Sequence, residues 1–243
     1  MRETDEDRQH WARVAVDWVA WARAPDHDAF WAFRTALAAF IGRGAGAALD
    51  LGCGEGRVAR ELRALGYQVT AADPVGALVA AAAAADSAQV YVLADASELP
   101  FHPGTFDLVV AYNVLMDVAD MPAAVKEMRR VLRPDGQLVI SIVHPFTDRG
   151  RLSGPATNAR FVLRGTYFGR QRFAGVEERQ GLRMRFAGWS QPLEAYVAAL
   201  EGAGLAITTL REPVPDLAHR RAHLQPWTRV PLFLWLKARP LAG

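Results

Sequence analysis

Three acidic residues stand at the ends of successive apolar runs: Asp50 in "AALDL", Asp73 in "YQVTAAD" and Asp95 in "VYVLADA". Behind the first come glycines at alternate positions, Gly52, Gly54 and Gly56, within "LDLGCGEGRVAREL". Such a loop could face a phosphate or an uncharged nucleoside. The dinucleotide pattern Gly-x-Gly-x-x-Gly needs a third glycine where this chain has Arg57, and no Gly-Lys-Ser/Thr follows to make a triphosphate loop. Asp50 would repel a phosphate but could accept a hydrogen bond from a cationic amino group, which points to a zwitterionic or cationic ligand. Asp73 is spaced to take two ribose hydroxyls, and Asp95 offers an acceptor to an exocyclic amine such as that of adenine. Helix capping or surface charge would explain one such acid. Three at consecutive strand ends favour a shared site.

Alternating strand and helix patterns are expected to carry these residues. Strands are predicted at 47–51, 67–73, 90–96, 106–115 and 136–145, with helices between them at 56–66, after Pro74, and at 121–134, the last closed by Pro134. This order describes a parallel sheet wrapped by helices, a fold that binds ligands at the carboxyl ends of its strands. From 148 to 188 the chain is rich in Gly and Arg, its periodicity is poor, and it reads as an inserted lid. A helix at 192–205 and strands at 206–213 and 231–240 follow. At the other end, Trp11, Val14, Ala15, Trp18 and Ala22 fall at helical spacing, with Phe30, Trp31 and Phe33 on a second helix. Core packing is the simpler reading of those stripes, and a cap over a ligand is the other.

The 243 residues suffice for one large domain with a substantial core, and 51% hydrophobic against 22% charged residues describes a globular chain. A net charge of +2 steers it to no particular partner. Of its 28 basic residues only Lys126 and Lys237 are lysine, a bias spread over the whole sequence that makes arginine density weak support for nucleic-acid binding. The start, "MRETDEDRQH", is unlike a secretory signal, and the longest apolar run, 75–85, is too short to cross a bilayer, so a cytoplasmic location without membrane association is expected. The single cysteine, Cys53, cannot form an intramolecular disulfide and reads as a small packing residue.

The stretches "LDLGCGEGRVAREL", "VTAADP", "LADASELPF" and "FDLVVAYNVLMDV" together resemble the successive motifs of class I S-adenosylmethionine-dependent methyltransferases, in the broad group with small-molecule substrates. The resemblance is close over residues 45–144 and loose over 205–239. It implies a Rossmann-like seven-stranded mixed sheet whose last strand is antiparallel, flanked by helices, with a lid inserted after strand 5. The chain then divides into an N-terminal helical cap (1–44), an S-adenosylmethionine-binding core (45–147), a lid or acceptor-binding insertion (148–188) and the C-terminal part of the core sheet (189–243). Carried over residue by residue, Asp50, Gly52, Cys53 and Gly54 would meet the methionine part. Asp73 with Pro74 would hold the ribose, Asp95 and Ala96 would face the adenine, and Asn113 would lie near the sulfonium. "WARVAVDW" is similar to a tyrosine-bearing N-terminal helix of that family, with Trp11 and Trp18 in place of the tyrosines.

Methyl transfer from a sulfonium asks the protein mainly to align the acceptor and exclude water. A hydroxyl or ammonium acceptor must also lose a proton, and His144, directly after strand 5 in "IVHPF", is the expected base. A structural histidine shaping the turn before Pro145 is an equal alternative. His102, His219 and His223 sit in loop-like segments and read as surface residues. Tyr112, Met116, Phe146, Tyr167 and Trp189 are the expected acceptor walls. No acidic cluster suggests a metal site, so none is expected. The leading reading is methyl transfer to a small molecule, preferentially at oxygen, with nitrogen as the alternative. An RNA methyltransferase ranks second, on nine Arg and three acidic residues between 148 and 185 with aromatics among them. Against it, "AYNVL" stands where base-amine methylases carry Asn-Pro-Pro-Tyr. A non-catalytic nucleoside-binding regulator ranks last. The oligomeric state, monomer or dimer, is open.

Overall fold

A computed structural model describes residues 3–25, 27–154, 158–218 and 222–241. Two helices, α1 (Glu3–Arg23) and α2 (Phe30–Ile41), precede the alternating segment β1 (Ala47–Leu51), α3 (Arg57–Ala64), β2 (Gln68–Asp73), α4 (Gly76–Ala84), β3 (Val90–Leu93), β4 (Phe106–Tyr112), α5 (Met121–Val131) and β5 (Leu132–Val143). A four-residue helix, α6 (Pro145–Asp148), leads into two hairpins, β6 (Gly150–Leu152) with β7 (Phe161–Leu163) and β8 (Gln171–Arg179) with β9 (Leu182–Ser190). Then come α7 (Leu193–Gly202), β10 (Leu205–Arg211), a 3-10 turn (Ala222–Thr228) and β11 (Phe233–Pro240). Among the described residues no helix is long and apolar enough to cross a membrane.

The seven-stranded sheet runs β10-β11-β5-β4-β1-β2-β3. β11 is antiparallel to both neighbours and the five strands β1 to β5 are mutually parallel, as the resemblance implied. The order reverses between β1 and β4: the chain winds one way through β2 and β3, then returns to build β4 and β5 on the other side. The carboxyl ends of β1 and β4 therefore part into a crevice, where such sheets bind ligands.

Each face of the sheet has its own core. Leu49, Leu51, Val109, Ile140 and Leu236 pack under α5 and α7, while Ala48, Val69, Val110, Val139 and Trp235 pack under α2 and α3. α5 shows the local logic. Asp120 accepts the Ala123 amide at 3.0 Å, proline occupies its first turn, and Met121, Ala124, Val125 and Met128 form one buried face. The helix stops at Val131, before Pro134, because Arg133 precedes a proline and is disfavoured in helical conformation, so Leu132 already enters β5.

The segment 148–188 is more regular than its sequence suggests. β8 and β9 pair over nine residues each, Gln171 opposite Ser190 through Arg179 opposite Leu182. Leu182, Met184 and Phe186 alternate with arginines and pack on Val14 and Trp21 of α1. On its other side α1 sets Ala15 against Val75 and Leu78. α1 thus lies between the hairpin and the start of α4, roofing the crevice. Phe30 and Phe33 are core.

Candidate functional site

The three glycines all lie in the left-handed region, with φ of 67°, 53° and 89° for Gly52, Gly54 and Gly56. A Cβ on Gly52 would come within 2.4 Å of Val114, and one on Gly56, which starts α3, within 2.2 Å of Ser87. Gly54 is held differently: its amide donates to Asp73 Oδ2 at 2.9 Å, and a Cβ there would meet the Trp18 indole nitrogen at 3.1 Å. The alternate spacing thus sets a tight loop between α1 and the crevice and lets α3 pack at the third glycine.

The acids differ in what they offer. Asp73 accepts from Gly54 N and Val75 N, both at 2.9 Å, which leaves one lone pair on each oxygen toward the crevice. Burial pushes its pKa up to about 6. Asp95 accepts the amide and hydroxyl of Ser97 through Oδ1 alone. Asp50 departs from expectation. It is 1% exposed beneath the loop, it takes the free Ala59 amide in the first turn of α3, and Oδ2 has no partner. It underpins the loop from below and does not line the cavity.

Burial raises the Asp50 carboxyl to about 7, so the folded state holds its proton where the unfolded state has lost it. Stability from this residue is therefore present below about pH 4, the unfolded value, and is lost as pH rises toward 7. Melting wild-type protein and Asp50→Asn in parallel from pH 4.5 to 7.5 should show the wild type losing ground steadily to the variant. A pH-independent difference would contradict this.

The crevice opens into a cavity of about 540 Å³, within the range of small-molecule sites. Trp11, Trp18, Gly52, Cys53, Gly54, Asp73, Pro74, Asp95, Ala96, Tyr112, Asn113 and Met116 all line it. Asn113 turns there with φ 56° and accepts the Ser141 hydroxyl at 2.9 Å. Cys53 is buried and its thiol is pushed up by desolvation, which suits packing.

Sequence reasoning missed the rest of the wall. Asp117, in the turn after β4, is hydrogen-bonded by Trp11, and burial holds its carboxyl well above the ordinary range, with Asp7 and Asp73 adding to the rise. It sits inside a stretch already singled out, "FDLVVAYNVLMDV". Phe173, Glu177 and Phe186 come from the β8–β9 hairpin; the period of two in "LRMRF" was a signal for Phe186 alone, and none marked Phe173 or Glu177. Arg57, placed as a missing glycine, also lines the cavity, as does His223 from the 3-10 turn, which the sequence put at the surface. His102 is exposed, and His219 lies outside the described residues.

Besides Asp50, four expected site residues do not reach the cavity. Trp189 donates its indole N–H to Asp7 at 2.9 Å, and Asp7 also pairs with Arg172, which clamps α1 to the hairpin. The Tyr167 hydroxyl accepts the Leu193 amide at 3.0 Å, and Phe146 packs on Phe161 with centroids 5.0 Å apart. His144 caps α6, its Nδ1 accepting the Phe146 amide at 3.1 Å, while Nε2 lies 3.0 Å from Glu212. The first bond requires a bare Nδ1, so the proton sits on Nε2, and burial lowers the pKa further. Both nitrogens are occupied away from the cavity, which corrects the expectation of a base. His144→Ala should lower the melting temperature by a few degrees, at the scale of a lost cap of about 0.5–2 kcal/mol, and leave turnover per folded molecule near wild type. A turnover loss of about 100-fold or more would restore the base reading.

The sheet order, the glycine loop, and the carboxylates at successive strand ends around one crevice define the class I S-adenosylmethionine-dependent methyltransferase fold. Residues 49–140 match the family model described as a methyltransferase domain. The malonyl-[acyl-carrier protein] O-methyltransferase of Serratia marcescens is 34% identical over 93 residues, 38% of this chain and 36% of that protein, so the match spans little more than a third of the relative. An S-adenosylmethionine-dependent methyltransferase structure from Mesorhizobium loti aligns with TM-score 0.68 at 25% identity, covering 88% of this chain and 99% of that one. The 1,6-didemethyltoxoflavin-N1-methyltransferase of Burkholderia thailandensis, with its substrate and S-adenosylhomocysteine bound, aligns with TM-score 0.62 at 20% identity over 100% of this chain and 92% of that one.

Proposed function

We propose that the protein transfers a methyl group from S-adenosylmethionine to a small-molecule acceptor, preferentially at oxygen, with nitrogen as the alternative. The observation that carries this is the cavity at the β1/β4 crevice, where Gly52, Gly54, Asp73, Asp95 and Asn113 share space with a second wall from α1 and the hairpin. The residues present fit the donor: Asp73 keeps two free lone pairs for the ribose hydroxyls, and Asp95 keeps one oxygen free of protein partners for the adenine amine. The carboxylates lining the cavity suit a sulfonium cation. When bound, the donor supplies an already activated methyl group, and the protein has to orient the acceptor, exclude water and take its proton.

Trp11, Met116, Phe173 and Phe186 provide an apolar acceptor wall, and Asp117, Asp148 and Glu177 lie among them. That company favours a neutral or cationic acceptor and opposes an anionic one. Asp117 is the proposed base. It lines the cavity, desolvation makes it a stronger proton acceptor than a surface carboxylate, and Asp73 is among the charges acting on it, which places it on the donor side. The RNA reading loses support because arginines of the inserted segment are engaged within the protein: Arg149 on Ser190, Arg170 on Ala119, Arg172 on Asp7 and Arg179 on His27.

Incubating the protein with methyl-labelled S-adenosylmethionine and a metabolite extract, then finding the labelled product by mass spectrometry, tests the reading. A labelled small molecule whose formation needs Asp73 is expected. Micromolar NAD binding without S-adenosylhomocysteine binding would overturn it. Label in structured RNA, with binding that falls steeply with added salt, would move the assignment to the RNA reading.

A further inference from the structure

The inserted segment holds six arginines and no acidic residue from 149 to 176. Three of them are engaged within the protein, Arg149 on Ser190, Arg170 on Ala119 and Arg172 on Asp7. The other three, Arg151, Arg160 and Arg164, are exposed, and their side chains make no ion pair or hydrogen bond to a described residue. The β6–β7 hairpin puts them together. Arg151 lies opposite Val162, and backbone bonds from the Ser153 amide to Arg160 (2.8 Å) and from the Arg164 amide to Arg149 (2.9 Å) extend the ladder at both ends. Alternation along the strand then sets Arg160, Val162 and Arg164 on one face with Arg151. The opposite face turns inward: Phe161 covers Gly150, where a Cβ would come within 2.2 Å of the ring, and packs on Phe146. Among the described residues no third strand pairs with the hairpin, so the arginine face is open. Val162 at its centre is 46% exposed, and Leu163 and Phe168, 46% and 70% exposed, follow along the chain.

We propose that this face docks on an anionic lipid surface, the headgroup layer of a bilayer that carries acidic phospholipids. Three unpaired arginines in a stretch without a carboxylate supply the charge complementarity. An arginine stem can lie along apolar surface while its guanidinium meets a lipid phosphate, so charged and apolar side chains act at the same interface. Exposed aliphatic and aromatic side chains among such charges enter the headgroup boundary, a role open to Val162, Leu163 and Phe168. Other acidic partners fit less well. Single-stranded nucleic acid is held in a groove with several stacking rings, whereas this face is a hairpin, and Phe146 is already packed on Phe161, which leaves Phe168. An acidic protein would need roughly 800 Å² of matched surface, more than three arginines, a serine and a valine present. Docking of this kind needs no spanning helix, and it replaces the expectation of no membrane association.

Sedimentation with vesicles of phosphatidylcholine alone, and of equal parts phosphatidylcholine and phosphatidylglycerol, tests the proposal independently of methyl transfer. The wild type should bind the mixed vesicles about 10-fold or more tightly than the neutral ones, and added salt should weaken that binding. Arg151→Gln, Arg160→Gln and Arg164→Gln combined should lower affinity for the mixed vesicles about 100-fold, at about fivefold per charge. Val162→Ser with Phe168→Ser should lower it about 10-fold and keep the salt dependence. Val90→Ser with Leu93→Ser, at comparably exposed positions on the edge strand β3, should leave it unchanged. All of these side chains are at the surface, so an unchanged melting temperature establishes that each variant is folded. Equal binding to both kinds of vesicle, a preference that survives loss of the three arginines, a loss in the β3 variant equal to that in the hairpin variants, or tighter binding to a structured RNA than to the mixed vesicles would each overturn the proposal.

Discussion

Asp73→Asn is expected to weaken S-adenosylhomocysteine binding by about 10- to 100-fold, the equivalent of about 1.5–3 kcal/mol for hydrogen bonds to a charged group. The carboxylate sits 5% exposed at the end of β2, with one oxygen on the Gly54 amide and the other on Val75. An ionised carboxylate only accepts, so both oxygens can serve a backbone amide and a ligand hydroxyl together. The asparagine amide has one oxygen and one donor nitrogen, so either the Gly54 or the Val75 N–H must face another donor. The variant therefore loses a ligand contact and loosens the glycine loop. Since burial raises Asp73 to about 6 and ligand hydroxyls prefer the ionised form, wild-type affinity should rise between pH 5 and 7. Calorimetry across that range checks both parts, and an Asp73→Asn protein with wild-type affinity and pH response would remove Asp73 from the site.

Asp117→Asn is expected to lower turnover by about 10²- to 10⁴-fold while donor affinity stays near wild type. The side chain lines the cavity, takes a hydrogen bond from Trp11, and is not among the residues assigned to the nucleoside. Its pKa is raised first by burial and then by Asp7 and Asp73, so it holds a proton at pH values where a surface aspartate is already ionised. A base must be deprotonated to act. The wild-type rate should therefore climb with pH through a value above the ordinary carboxylate range, and the residual rate of Asp117→Asn should lack that limb. Asp148→Asn is the comparison, because Asp148 also lines the cavity with a raised pKa. A loss confined to Asp148→Asn would move the proton to α6, and no loss in either would leave alignment and water exclusion as the sources of rate.

The reach of sequence reasoning here followed how local each feature is. Strand ends and helix starts arise from contacts a few residues apart, so "AALDL", "YQVTAAD" and the loop glycines were legible and fell where expected. Alternation is local too, and "LRMRF" could have announced β9 had the surrounding glycines and arginines not obscured it. His144 was left between base and structural histidine for the opposite reason. Its position after β5 is a sequence fact, but Glu212, which holds its outer nitrogen, is 68 residues away.

The sequence by itself determined the alternating strand and helix order and the strand ends at which Asp73, Asp95 and Asn113 stand, because hydrophobic period is a local signal, while the seven-stranded mixed sheet came from the family resemblance. Only the tertiary structure decided which side chains close the site. Asp50 turned under the loop because the first-turn amides of α3 lacked acceptors, Trp189 was drawn away by Asp7, and Arg57 was caged by rings from α1, α2 and β4. Those outcomes depend on charges and rings brought together from distant parts of the chain, and no spacing along the chain encodes them.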